Sequence, residues 1–407
     1  MLSVKTPEEV YETIEDAFSA GPLKIENVSL EDAVGRVLSD PVKAVEYVPG
    51  FDRSTVDGYA VWAADTFGCS ETLPAMLQLK GEVLMGKKTD TMLQKGECMY
   101  VPTGGAIPEG ADAAVMIEYT EDYGDGTIGI LKSAAPGSNL IYKGDDVYPG
   151  KEVLSAGRKL TAGDIGSLAA LGTSRIGVAA RPVIGIISTG DELVPIETVP
   201  EKGQVRDVNS AMLSAIVKDS GGESILYGIV ADDERSLKET LDKALLECDM
   251  VLISGGSSVG MKDAALRIME ATGEVLFHGI AMKPGKPTIL AKASGKPVFG
   301  LPGHPVAASF VSELFVRPLI GKMLGRKISP RYVKAMLSEN ISANHGRAQY
   351  MGVHLDEKDG VIHAVPVHAK SGLITSLAGC DGYFCIPRDR EGMASGELVD
   401  IRLYSVD

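Results

Sequence analysis

This sequence predicts an α/β multidomain protein. A doubly wound, mostly parallel α/β domain is flanked by a β-rich insertion, a helical N-terminal segment and a C-terminal β-barrel-like domain. Three observations carry the prediction. From 181 to about 327, apolar β-like runs alternate with amphipathic helical runs, the order that builds parallel sheets. Three of those apolar runs lead straight into glycine-rich loops, at 188–192, 254–260 and 300–305. The stretches 45–146 and 329–407 are instead rich in turn signals and short alternating segments.

Taken in order, Thr6-Pro7-Glu8-Glu9 is a capping box with proline at the first helical position. Val10, Ile14, Ala17 and Phe18 then recur at helical spacing until Gly21 stops the helix. Ser29-Leu30-Glu31-Asp32 opens a second, short helix. From 45 to 146 glycines punctuate the chain; 113–117 and 127–131 fit strands, with Asp125-Gly126 as a hairpin turn. Thr161-Ala162-Gly163-Asp164 is another capping box, ahead of Ile165, Leu168 and Leu171. This helix is expected to pack on the N-terminal one, so that 1–44 and 147–180 form one domain with 45–146 inserted. Domains at 181–328 and 329–407 follow.

Within 181–328, strands are expected at 182–187, 224–230, 249–253, 288–291 and 297–300, with helices near 209–219, 233–246, 264–272 and 305–324. Near the C-terminus Asp359-Gly360 separates two strand-like runs, and Val399, Ile401 and Leu403 alternate with Asp400 and Arg402. A small barrel or sandwich is expected there.

Bulk properties narrow the function. A net charge of −15 argues against general nucleic-acid or anionic-membrane binding, and 5% aromatic residues argue against stacking platforms for single strands. A local cationic cluster still suits an anionic ligand. Five dispersed cysteines without a C-x-x-C pair suggest a reducing compartment. With neither a basic-then-apolar leader nor an apolar run near 18 residues, a cytoplasmic location is expected.

In an open α/β sheet, loops at the carboxyl ends of strands line one crevice, where ligands bind. Glu192 lies in the first such loop, as a crevice-facing carboxylate or half of a turn pair with Asp191. Asp232 and Asp263 stand just past strands of the same sheet, and each is also a natural helix N-cap. Three carboxylates suit a hard cation such as Mg²⁺ held against a phosphate; alternatively they hydrogen-bond ligand amides or hydroxyls. Lys283 and Lys286 flank a proline-stiffened turn and suit an oxyanion. Ser254, Gly255, Gly256 and Ser257 offer hydroxyls and backbone N–H groups to a phosphate, though they form neither a dinucleotide fingerprint nor a P-loop. The six histidines show no zinc-binding spacing, and only His304 falls inside one of the three loops.

The runs Thr55-Val56-Asp57-Gly58-Tyr59-Ala60, Val101-Pro102-Thr103-Gly104-Gly105, Ser188-Thr189-Gly190-Asp191-Glu192-Leu193, Ser254-Gly255-Gly256, Lys283-Pro284-Gly285-Lys286-Pro287 and Gly300-Leu301-Pro302-Gly303-His304-Pro305-Val306 come in the order seen in molybdopterin molybdotransferases. The chain resembles these MoeA proteins over nearly its whole length and is similar to the C-terminal domain of gephyrin. The resemblance implies insertion of molybdate into adenylylated molybdopterin, with release of AMP and help from Mg²⁺. It implies an elongated four-domain homodimer with an α/β domain of molybdopterin-binding type, the site lying between subunits. Molybdopterin adenylyltransferase and other cofactor-biosynthesis proteins are the implied partners.

Carried over by position, Glu192, Asp232 and Asp263 match acidic site residues, Lys283 and Lys286 the oxyanion-holding lysines, and Pro302 and Pro305 the prolines shaping the third loop. Asp57, Thr103 and Asp146 match the second subunit's contribution, and Arg347 and Ser371 match C-terminal residues near the molybdate. Gly279 stands where several members carry lysine, and His304 where asparagine or tyrosine is common. Tungstate insertion, molybdopterin adenylyl transfer and a gephyrin-like non-catalytic scaffold are the alternative readings.

Overall fold

The capping box at Thr6 forms as expected. Thr6 N donates to the Glu9 carboxylate at 2.6 Å, Glu9 N donates back to Thr6 Oγ1 at 3.2 Å, and the helix runs Pro7–Ala17. The structure, a computed structural model, describes residues 4–87, 89–255, 259–326, 330–368 and 370–404, the side chains of 259–263 excepted. It falls into two units: Met1–Asp40 with Ala156–Leu160 and Ile176–Asp407, and Pro41–Ser155 with Thr161–Arg175.

The second capping box starts the helix Ala162–Ala170. Val10, Ile14 and Phe18 join a core with Phe299, Phe310 and Phe315 in the first unit, whereas Leu171 packs with Ala44 and Val147 in the second. An apolar helix face states that it will be buried, but not against which partner.

In the first unit six strands form one sheet in the order Glu223–Val230, Val183–Thr189, Met250–Gly255, Lys296–Leu301, Ile289–Ala293, Glu274–His278. The first four run parallel and the last two pair antiparallel, so the sheet is mostly parallel, as expected. The central strand Met250–Gly255 is buried nearly throughout, which is why it reads as an unbroken apolar run. Helices Val208–Asp219, Glu234–Glu247 and Val259–Thr272 supply the crossovers.

The helix expected over 305–324 is Pro305–Val311, a π-helical turn Ser312–Val316, and Arg317–Met323. Within it the Arg317 guanidinium grips both Glu313 oxygens at 2.9 Å and donates to Asp219 at 2.6 Å. Only 13% of the Arg317 side chain and 9% of the Glu313 side chain are exposed. Replacing Arg317 by alanine is expected to destabilise this unit by about 3–5 kcal/mol, because it strands a buried carboxylate. Denaturant unfolding followed by hydrogen exchange in the Val208–Asp219 helix measures the loss.

The β-rich unit holds a six-stranded sheet of Ala113–Met116, Gly58–Val61, Glu97–Val101, Ala75–Glu82, Thr127–Ile130 and Thr120–Asp122, with the expected hairpin closing around Asp125-Gly126. At the C-terminal end Tyr332–Leu337, Ala348–Lys358, Val361–Pro366, Gly382–Ile386 and Leu398–Leu403 pair in a closed ring, a barrel rather than a sandwich. Asp359 and Gly360 both take positive φ at the tip of its longest hairpin, the geometry of a tight two-residue turn. All five cysteines are free thiols. Among the described residues no helix is long and apolar enough to cross a membrane.

Candidate active site

The lysine turn is held from two sides. Met282–Lys283 is a short strand that pairs in parallel with Ala348–Gln349, at the start of the longest barrel strand, and Ala348 N donates to Ala281 O at 3.0 Å. Thr288 Oγ1 closes the turn on Gly285 O at 2.7 Å. Gly285 has φ +114°, and a Cβ there would lie 2.8 Å from Val311 Cγ2. The buried glycine lets the turn press on the helix behind it while Lys283 and Lys286 stay exposed.

The third glycine-rich loop meets the barrel domain. Pro302 is buried, and Pro305 takes the first position of helix Pro305–Val311 with His304 as its N-cap residue. His304 Nδ1 lies 2.8 Å from Ser371 Oγ, and Val306 N donates to Ser371 O at 3.1 Å. A cleft of 810 Å³ results, lined by Lys283, Lys286, Pro302, His304, Arg347 and Ser371, with Lys370 and His368 at its side. Among the described residues no carboxylate lines it. His368 is partnered by Glu339 at 2.7 Å. In a chain of net charge −15 this cleft is a focused positive field, suited to a small multiply charged anion.

Two further residues matter that sequence reasoning passed over. Gln349 lines the cleft; its Nε2 faces Met351 Sδ at 3.3 Å and its buried Oε1 has no hydrogen-bond partner, an acceptor available to a ligand N–H. Its place two residues after Arg347 was the only signal. Asn209 Nδ2 donates to Ser254 Oγ at 2.7 Å and to Gly303 O at 2.9 Å, tying the second and third loops together. A polar residue buried in the first turn of helix Val208–Asp219 was its signal.

Asp191, Glu192 and Asp232 lie at the carboxyl ends of the sheet strands and do not line the basic cleft. Thr189 Oγ1 donates to Asp232 Oδ1 at 2.6 Å, Asp232 N donates to Asp191 Oδ1 at 3.2 Å, and the exposed Glu192 follows directly. The helix cap is not Asp232 but its neighbour Asp233, whose side chain accepts from Ser236 N at 2.8 Å. Asp263 is not a cap either, since helix Val259–Thr272 begins four residues earlier. The Asp263 side chain lies outside the described residues, as do Gly256 and Ser257 altogether. Among the described residues no three acidic, histidine or cysteine side chains gather around one metal position.

In the β-rich unit Thr103 N donates to the Asp57 carboxylate at 2.6 Å, so these two candidates meet. Asp146 sits on another loop, its N donating to Val48 O at 3.1 Å and its carbonyl accepting from Lys151 Nζ at 2.6 Å. All three side chains are exposed.

Family models for the MoeA N-terminal region (domains I and II), a probable molybdopterin binding domain and the MoeA C-terminal region (domain IV) match residues 5–172, 185–322 and 334–404. The chain is 32% identical over 383 residues to the molybdopterin molybdenumtransferase of Bacillus subtilis, covering 92% of this chain and 89% of that one. It is 34% identical over 389 residues to a putative molybdopterin biosynthesis protein of Methanocaldococcus jannaschii, covering 93% and 92%. The crystal structure of a molybdopterin biosynthesis MoeA protein from Pyrococcus horikoshii superposes with a TM-score of 0.86 at 37% identity, over 99% of this chain and all of that one.

Proposed function

The chain belongs to the MoeA family of molybdopterin molybdenumtransferases, and on that premise we propose that it inserts molybdate into adenylylated molybdopterin and releases AMP. The observation that carries this reading is the cleft itself, where Lys283, Lys286 and Arg347 converge without an acid among them. Molybdate is a small tetrahedral dianion. Two ammonium groups and a guanidinium give it charge and directed donors in a partly enclosed site. The orphan Oε1 of Gln349 accepts from a ring N–H of the pterin.

The carboxylate group takes the other end of the substrate. Glu192 and Asp232 present hard oxygen donors, and the Thr189 hydroxyl already orients Asp232. One or two carboxylates completed by substrate phosphate oxygens is the set Mg²⁺ prefers, so these residues fit it. When bound, the ion neutralises phosphate charge. Asn209 spans the two groups by holding the Ser254 and Gly303 loops at a fixed distance. In the transfer, an oxygen attacks phosphorus, the bond from phosphorus to the molybdopterin oxygen breaks, and AMP leaves with the attacking oxygen. No side-chain nucleophile is required. The same reading includes a homodimer, in which the exposed Asp57, Thr103 and Asp146 complete the site of the partner copy, and a cytoplasmic setting beside the other enzymes of cofactor synthesis.

Incubation of the purified chain with adenylylated molybdopterin and Mg²⁺ tests the proposal. AMP release is expected to depend on molybdate. Release that prefers tungstate moves the assignment to tungsten insertion, and intact substrate under every condition leaves a scaffold.

A further inference from the structure

A second basic pocket opens at the opposite edge of the α/β sheet. It lies by the amino ends of the strands, where Arg181 precedes Val183–Thr189 and Gly221 precedes Glu223–Val230. The seven residues of Val183–Thr189 put it roughly 23 Å from the carboxylate group. Its 250 Å³ are lined by Arg36, Lys159, Arg181, Lys218 and Arg326 against one acid, Asp219.

Two of the charged groups in the wall are already engaged. Asp219 is already held by Arg317 at 2.6 Å. Arg36 is tied to Glu26 and to Ala179 O, which fixes its guanidinium in the wall. Arg181, Lys218 and Arg326 have no carboxylate partner among the described residues.

Two helices, Val208–Asp219 and Arg317–Met323, end at this pocket, and basic side chains often serve to close such ends. Here backbone N–H groups already do so. Ser220, Gly221 and Gly222 donate to the carbonyls of Ile216, Lys218 and Val217, and Leu324, Gly325 and Arg326 donate to those of Ile320, Lys322 and Gly321. The side chains of Lys218 and Arg326 are left to line the pocket. Five cations around so small a volume also run against the net charge of −15.

We propose that this pocket binds a small phosphate polyanion of the pyrophosphate kind, at a site distinct from the catalytic cleft. Guanidinium forks match phosphate oxygens bidentately, and three of the five cations are arginines. The volume falls below the roughly 300–1,000 Å³ of clefts that take whole drug-sized ligands, so it admits phosphate groups without a base. The source is either free pyrophosphate or the phosphate tail of a nucleotide whose base stays in solvent.

Calorimetric titration at constant ionic strength decides the matter, using the full chain with Lys283→Ala and Lys286→Ala to blunt the catalytic cleft. Pyrophosphate is expected to bind saturably, and Arg181→Ala with Arg326→Ala to weaken it by about tenfold or more. Lys218→Glu, at an exposed position, is expected to weaken it in the same direction and serves if the double variant does not fold. ADP binding that is lost in the same variants supports the site with the nucleotide tail as source; pyrophosphate binding alone supports it with the free anion. No saturable binding, binding unchanged by the Arg181 and Arg326 replacements, or sulfate binding as tightly overturns the proposal.

Discussion

Lys283→Ala is expected to lower molybdate-dependent AMP release by roughly 10²–10³-fold, the cost of removing one preorganised donor from developing or bound negative charge. Lys283 is held on a short strand paired to the barrel, so its loss leaves the cleft intact and takes away charge alone. The carboxylate group is a separate cluster, so affinity for the adenylylated substrate is expected to change little. Steady-state titration of molybdate beside equilibrium binding of the nucleotide separates the two quantities. Equal loss of both places Lys283 on the nucleotide instead of the oxyanion.

Gly255→Ala is expected to abolish activity while leaving the β-rich unit and the barrel folded. Gly255 has φ +146°, and a Cβ built there lies 2.0 Å from Thr189 O and 2.9 Å from its carbonyl carbon. The obstacle is backbone in the neighbouring paired strand, Thr189 opposite Gly255, so no side-chain rotation relieves it. The two strand ends must part, and with them goes the Thr189 hydroxyl that positions Asp232. Strained left-handed backbone and a direct clash together are expected to cost on the order of 3 kcal/mol locally. Hydrogen exchange confined to strands 183–189 and 250–255, alongside the AMP assay, checks the result; a fully active variant contradicts it.

The fold was largely legible in the sequence because its signals are local. Both capping boxes formed where Thr6 and Thr161 announced them, and the alternation from 181 to 327 became the mostly parallel sheet. The alternative reading of Asp232 as a helix cap falls one residue short of Asp233. Asp232 and Asp233 are both carboxylates at a helix start, and only the backbone conformation decides which one turns back to Ser236. The helix expected from about 264 begins at Val259 instead, inside a loop that reads as glycine and serine, so Asp263 is not its cap. Asn209 and Gln349 carry no motif of their own, since their roles depend on atoms brought in by other segments.

By itself the sequence determined the order of elements, the loops that carry the chemistry and the family to which the chain belongs. These rest on spacing and residue type along the chain, which are read directly. Only the tertiary structure decided that Lys283 and Arg347 line one cleft, that Ser371 meets His304, and that Glu192 and Asp232 stay out of that cleft. Those outcomes follow from non-local pairing, above all of strand Met282–Lys283 with Ala348–Gln349, and from burial on both faces of a sheet. Charge then gathers where remote segments meet, and no local pattern records that meeting.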